Sequence, residues 1–294
     1  MPPRNIRRIE HVFVSHAHID HFIGFDLLLR VLVGREATVK LYGPVGFVDR
    51  VRHKLQAYQW NLVDRYLFDL VFVVTEVDAA AVASSTRFRL KTAFADEALG
   101  RSPLLNGIIH DEPMFRVTTA IVEHRTPCLA FALEEAAHVN IWKNRLVDRG
   151  LPVGPWLRDL KRAVVENRPD DQIIEVRQTE AAPAHAMPIG ALRDVLTVTQ
   201  GQKIGYVTDA ADTPANRKAI IDLVRGTDLL YIEAAFAEAN AALAAERAHL
   251  TTRAAGEIAR AAGVRRVEPF HFSPRYGGEE ERMVTEVMAA FAEK

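Results

Sequence analysis

The sequence predicts a layered α/β fold. Three observations carry that expectation. Short apolar, β-branched runs alternate with stretches of helical periodicity along most of the chain. At 294 residues, 49% hydrophobic and 26% charged, the chain can bury a full core as one large domain. Chemically active polar residues also recur just past the ends of the apolar runs, where α/β folds gather their loops.

The elements follow in order. Ile9 to Ser15 reads as a buried strand, ending in His16, Ala17, His18, Ile19, Asp20 and His21. Phe22, Phe25, Leu28, Leu29 and Leu32 recur at helical spacing, so 22–33 is a helix. A short strand spans 38–42, and Gly43-Pro44 turns into a second helix reaching about Tyr58. Three strands are expected at 69–77, 86–94 and 114–122; the last delivers Glu123 and His124. Another, CLAFALEE, follows at 128–135. From about 138 to 200 the texture is that of an inserted arm, with five of the fourteen prolines between 138 and 195. Its first part, 143–168, sets Lys143, Arg145, Arg149, Arg158, Lys161, Arg162 and Arg168 against three carboxylates. Its second part is acidic and shows little periodicity. The α/β pattern then resumes. KIGYVTD ends in Asp209, and a helix over 214–225 starts at Pro214. A strand at 228–233 precedes an alanine-rich helix. Thr251, after His249, is an N-cap for the helix that Gly263 ends. The final strand, 265–272, delivers His271, and a C-terminal helix closes the chain.

Composition excludes several classes. The formal net charge is −1, so no global basic field marks a nucleic-acid binder, and RNA would need a local patch. A single cysteine, Cys128, forms no internal disulfide and fits a reducing compartment. No apolar run is long enough to span a membrane, and the N-terminus lacks a signal-peptide core, so a cytoplasmic location is expected.

The stretch 16–21 carries the chemistry. A lone buried histidine is usually structural, but three with an aspartate in six residues would each need a buried partner. Imidazole and carboxylate together suit zinc or manganese. His16 and His18 point the same way on an extended segment and can share an ion. Asp20 and His21, at the turn into the helix, can face a second. His124, Asp209, His249 and His271 each follow a strand. Two ions need about seven protein ligands when a carboxylate bridges them. His16, His18, His124 and Asp209 would serve the first ion; Asp20, His21, Asp209 and His271 would serve the second. Asp212 rivals Asp209 as the bridge. His11, His53, His110, His138 and His185 have no such context and read as structural or exposed.

The chain resembles the metallo-β-lactamase superfamily and, within it, the ribonuclease Z branch. SHAHIDH (15–21) is the generic signature. LYGPVGF (41–47), EHRTPCLAFALEE (123–135), GLPVGP (150–155), YVTDA (206–210), YIEAAF (231–236), HLTTRAAGEIARAAGV (249–264) and HFSPRY (271–276) are narrower and occur in family order. The resemblance implies an αββα sandwich with two zinc ions, manganese being the alternative. It implies a metal-dependent phosphodiesterase that removes the 3′ trailer of precursor tRNA, or acts on other RNA, through a hydroxide generated at the metal. Such enzymes cut after the discriminator nucleotide and leave a 3′-hydroxyl. It also implies a homodimer whose proline-containing arm grips the tRNA body. Three departures stand out. The family has further strands before the histidine motif, so either the start lies upstream or the first sheet is incomplete. The arm's distal half is acidic. Thr208-Asp209-Ala210 replaces the usual glycine-aspartate-threonine.

On this reading Asp20 orients the hydroxide or takes its proton. His249 protonates the leaving ribose 3′-oxygen and Glu233 orients His249. Arg275 and Ser273 hold phosphate near the cut. Two rivals remain: a small-molecule phosphodiesterase or lactone hydrolase on the same centre, and a non-catalytic, metal-poor relative that acts by binding.

Overall fold

The computed structural model describes residues 2–179 and 181–293; Glu180, inside the expected arm, lies outside them. Backbone contacts group the chain into two compact units. The first comprises 1–111, 117–133 and 203–294, and the second 112–116 and 134–202.

The first unit holds two sheets. One is five-stranded, in the order β1 (His11–Phe13), β2 (Ala37–Pro44), β3 (Leu70–Val77), β4 (Val82–Arg89) and β5 (Asp96–Pro103). β1, β2 and β3 run parallel, and β4 and β5 turn back antiparallel. The other is six-stranded. It uses β6 (Ile108–Glu112), β7 (Phe115–Glu123) and β8 (Pro127–Glu135), with β13 (Lys203–Val207), β14 (Leu229–Glu233) and β15 (Val267–Phe270) beside them. Their spatial order is β15-β14-β13-β8-β7-β6.

Alternation along the strands decides which side chains face which layer. Leu70, Phe72 and Val74 of β3 are fully buried and pack with Phe25, Leu29, Val51 and Leu55 from the helices Gly24–Leu32 and Phe47–Gln56. On the second sheet, Val207, Leu230, Ile232 and Val267 pack under Ile220, Ile258 and Val287. These come from the helices Pro214–Val224, Thr252–Ala261 and Glu280–Ala292. Gly256 lets two of those helices approach closely, since a Cβ there would sit 2.5 Å from the Val287 carbonyl oxygen. Side chains from the two sheets meet between them: Phe13 meets Phe131 edge-on at 5.5 Å, and Tyr42 Oη bonds His110 Nδ1 at 2.9 Å. The result is the helix–sheet–sheet–helix order of the αββα sandwich.

Several expected elements are corrected. The run Ile9–Ser15 is a strand only over His11–Phe13, and it is half-buried. It lies at the edge of its sheet with β2 as its one neighbour, which limits its pairing. The strand expected at 86–94 is β4, and the chain leaves the sheet through Leu90–Thr92, with Ala93 and Phe94 at positive φ. β5 and β6 were not anticipated. The alanine-rich helix shortens to Ala241–Arg247, where Ala248 turns left-handed at φ 59°.

The second unit has its own core. β9 (His138–Ile141) pairs with β12 (Leu196–Thr199), and β10 (Ile173–Val176) with β11 (His185–Pro188). The acidic distal half therefore contains a hairpin that its sequence pattern did not announce. Leu146, Trp156, Leu160, Val176, Ile189 and Leu192 bury one another. Within GLPVGP, Gly154 has no room for a side chain, because a Cβ would lie 2.1 Å from the Arg177 carbonyl oxygen.

Candidate metal centre

The seven expected ligands converge. His16, His18, Asp20 and His21 follow β1; His124 follows β7; Asp209 and His271 follow β13 and β15. Asp209 Oδ2 lies 3.5 Å from His16 Nε2, 3.4 Å from His124 Nε2 and 3.5 Å from His21 Nε2. Donors on a tetrahedral ion with bonds near 2.1 Å stand roughly 3.4 Å apart. One carboxylate oxygen thus sits at ligand spacing from imidazoles of both expected groups. His18 Nδ1 is 2.8 Å from His16 Nε2. Asp20 Oδ2 is 3.3 Å from His21 Nε2 and 3.6 Å from His271 Nε2. The donor atoms of His16, His18, His124 and Asp209 form one compact group, and those of Asp20, His21 and His271 another.

The donor set fits metal on a second ground. His21 Nε2 and His271 Nδ1 are buried without a hydrogen bond of good geometry. His21 Nε2 meets carboxylate oxygens of Asp20 and Asp209 at 3.3 and 3.5 Å, and His271 Nδ1 meets those of Asp209 and Glu233 at 3.2 and 3.8 Å. Buried ring nitrogens left so are unusual in a finished core, and a cation would use both.

Neighbouring groups set the rings. The buried His124 Nδ1 donates to the Ala248 carbonyl at 2.7 Å, which leaves Nε2 as a lone-pair donor facing Asp209. Ser15 Oγ lies 3.2 Å from His16 Nδ1, within reach to accept its proton and so leave Nε2 as the free donor on that ring. His271 has φ 61°, a strained value for a non-glycine residue, of the kind that clusters at functional sites. Glu233, fully buried, accepts from Ala210 N at 2.7 Å, Leu250 N at 3.3 Å and His249 Nδ1 at 2.9 Å. One carboxylate therefore ties together the loops that carry Asp209 and His249.

Asn216 is the hub that sequence reading missed. Its Nδ2 donates to the carbonyls of Glu123 and Ala211, both at 2.8 Å, and its Oδ1 accepts from Glu123 N at 3.0 Å. It pins the backbone before His124 to the loop after Asp209. In sequence it is one polar residue in the first turn of a helix, with nothing to set it apart. Asn216→Ala strips the Glu123 N–H of its acceptor in this part-buried bond, while both carbonyls keep another donor. The expected loss is about 1–3 kcal/mol of unfolding free energy by denaturant titration, together with weaker metal binding. Unchanged stability and affinity would remove Asn216 from this role.

Electrostatics divides the ligands. Burial pushes His16 down to about 4, so it is neutral at pH 7 and ready to coordinate. Contact with Glu233, opposed by burial and aided by the charge of Asp209, pushes His271 up to about 9. Burial disfavours the charged Asp209, but contact with His21 and the charge of His271 hold its carboxyl far below the usual range. A metal bound at His271 would compete with this proton. Below about pH 9, loading the metal-free protein should release a proton, and apparent affinity should fall as pH is lowered. Calorimetry in buffers of different ionisation enthalpy reads this, and a buffer-independent heat at pH 7 would contradict it.

A cavity of about 510 Å³ opens over the ligands. Asp20, His124 and His271 line it with His249, Phe236, Leu243, Arg247, Ser273 and Arg275. The Arg275 guanidinium lies over the Phe236 ring at 5.9 Å. Asp212 is excluded as the bridge, because both its oxygens are taken by Arg217. Burial pushes the Cys128 thiol up to about 12, so it is no ligand or nucleophile here.

Comparison with known proteins agrees with this geometry. A model of the metallo-beta-lactamase superfamily matches residues 3–91. A ribonuclease Z of Deinococcus radiodurans is 33% identical over 280 residues, spanning 94% of this chain and 79% of the relative. A ribonuclease Z of Brevibacillus brevis is 27% identical, spanning 99% and 77%. A ribonuclease BN of Cronobacter sakazakii is 26% identical, spanning 97% and 78%. Among solved structures, the short form of human tRNase Z superposes with a TM-score of 0.51 at 18% identity, covering 92% of this chain and 75% of that one. The metallo-beta-lactamase fold protein YhfI of Bacillus subtilis gives a TM-score of 0.51 at 13% identity, covering 98% and 73%. These two likenesses bear on the fold alone, which is the metallo-beta-lactamase fold. The superfamily implies a divalent-metal centre, and the converging histidines and aspartates supply donors for one.

Proposed function

The chain belongs to the ribonuclease Z family, and we propose from this that it is an endoribonuclease removing the 3′ trailer of precursor tRNA. The observation that carries the proposal is the meeting of six donor residues around Asp209, with His249, held by the buried Glu233, lining the cavity beside Asp20, His124 and His271. His16, His18, His124 and Asp209 would hold one divalent ion. Asp20, His21, Asp209 and His271 would hold a second. Zinc fits this nitrogen–oxygen set best, with manganese as the alternative. Bound ions would lower the pKa of water toward neutrality and take up charge on the phosphate.

The remaining chemistry falls to the chain. Asp20 is 62% exposed at its side chain and faces the cavity, so it can orient the attacking water and accept its proton. His249 Nδ1 is engaged by Glu233, which leaves Nε2 for the leaving group. Burial disfavours its charged form, but the bond to Glu233 outweighs this and raises its pKa. It is therefore charged over a wider pH range, as a proton donor requires. Arg275 and Ser273, at the cavity rim, would hold phosphate oxygens.

We read the second unit as the inserted arm. Among the described residues, Lys143, Arg158 and Lys161 are exposed and have no ion pair, whereas Arg149, Arg162 and Arg168 pair with Asp194, Asp159 and Glu166. Those three free cations are the part of the arm suited to tRNA phosphates. A homodimer and a cytoplasmic location accord with this reading; among the described residues no helix is long and apolar enough to cross a membrane.

The test is cleavage of a precursor tRNA carrying a 3′ trailer, with zinc or manganese added. A single cut after the discriminator nucleotide, leaving a 3′-hydroxyl, is the expected product. An intact precursor, alongside turnover of a small activated diester, would shift the assignment to a small-molecule phosphodiesterase.

A further inference from the structure

Beyond the groups already given roles, the cavity wall carries one more cation, Arg247. It is exposed, it lines the cavity with Asp20, His249 and His271, and among the described residues its guanidinium has no hydrogen bond or ion pair. The other arginine on the cavity wall, Arg275, lies over the Phe236 ring at 5.9 Å.

The backbone beneath Arg247 is held on both sides. The Arg125 guanidinium donates to the carbonyl of Glu246, and His124 Nδ1 donates to the carbonyl of Ala248 at 2.7 Å. Arg247 thus springs from a segment clamped to the loop that carries a metal ligand. A cation at a helix C-terminus gains a few tenths of a kcal/mol to about 1 kcal/mol from the helix dipole. That gain calls for neither a cavity position nor this clamp. A guanidinium on a fixed base, left without a carboxylate, is instead pre-organised for a phosphate.

We infer that Arg247 binds a second phosphate of the substrate strand, adjacent to the one being cut. The inference rests on the nuclease reading above and deepens it. The cavity then selects a polynucleotide over an isolated diester, because only a polynucleotide offers a phosphate to Arg247 as well as one to the metal ligands and Arg275.

Arg247→Gln and Arg247→Lys test it, on precursor tRNA and on bis(p-nitrophenyl) phosphate. Arg247→Gln should raise KM for the tRNA about tenfold. It should also flatten the slope of log KM against log salt by roughly 0.7–0.9, the share of one phosphate contact. Arg247→Lys should keep the slope. Hydrolysis of bis(p-nitrophenyl) phosphate should stay within about twofold of the wild type in both, which a merely structural role would not allow. Equal losses on both substrates, or an unchanged KM and slope on tRNA, would overturn the assignment. A wild type that leaves precursor tRNA intact defeats the nuclease reading separately. In that case inhibition of diester hydrolysis by the dinucleotides pApA and ApA decides. Tighter inhibition by pApA in the wild type, lost in Arg247→Gln, sustains the second-phosphate site, and equal inhibition in the wild type ends it.

Discussion

Replacing His18 by alanine should remove metal and activity together. His18 Nδ1 lies 2.8 Å from His16 Nε2, and its ring stands 5.4 Å from that of His124. It occupies the N-cap of the short helix Ile19–Phe22, yet its side chain makes no capping bond. Because it is exposed, its loss should cost the fold little. Groups that merely orient a ligand cost about 10–100-fold in metal affinity when lost, and a ligand costs more. Metal per chain by elemental analysis should therefore fall below the wild-type value after dialysis, with turnover reduced by more than about 100-fold. Metal-free wild type and His18→Ala should melt within about a degree of each other, given a stability difference under about 0.5 kcal/mol. A variant that retains full metal content and turnover would show that His18 lies outside the centre.

The same comparison separates a site residue from a core residue, and that separation was legible in advance for only part of the molecule. Three histidines and an aspartate between 16 and 21 had no structural use at that density, so chemistry was the economical reading. Strands β3, β7 and β8 were readable because each buries at least one face, which imposes an apolar pattern. β5 is exposed at all of its positions and contains Gly100, so it carried no pattern to read. The residues that hold the site in shape were less visible still. The Ala248 carbonyl has no side-chain signature at all, and it works only because Ala248 adopts a left-handed turn. Asn216 and Arg125 act through contacts between segments far apart in sequence. Local composition records the donors of a site better than it records what aims them.

His249→Ala should give the opposite pattern to His18→Ala, with metal retained and chemistry slowed. Its Nδ1 is engaged by Glu233 at 2.9 Å, and although it also clusters with Asp209, Glu233 and His271, it stands outside the groups His16–His18–His124–Asp209 and Asp20–His21–His271. A positioned acid contributes roughly 10²–10⁴-fold, so kcat on RNA should drop by that range with little change in metal content. An activated diester with a good leaving group needs less protonation and should lose far less. Glu233→Gln sharpens the argument, because amide oxygen can still accept from Ala210 N while the negative charge is gone. That charge raises the His249 pKa, so its removal should lower it. Since the acid is active only when protonated, activity falls as pH rises through its pKa. The alkaline limb of the kcat profile should therefore move to lower pH in Glu233→Gln and vanish in His249→Ala. If His249→Ala cuts RNA as fast as the wild type, or keeps the same alkaline limb, the proton comes from elsewhere. If His249→Ala instead loses its metal, His249 belongs with the ligands and its bond to Glu233 serves to orient a donor rather than an acid.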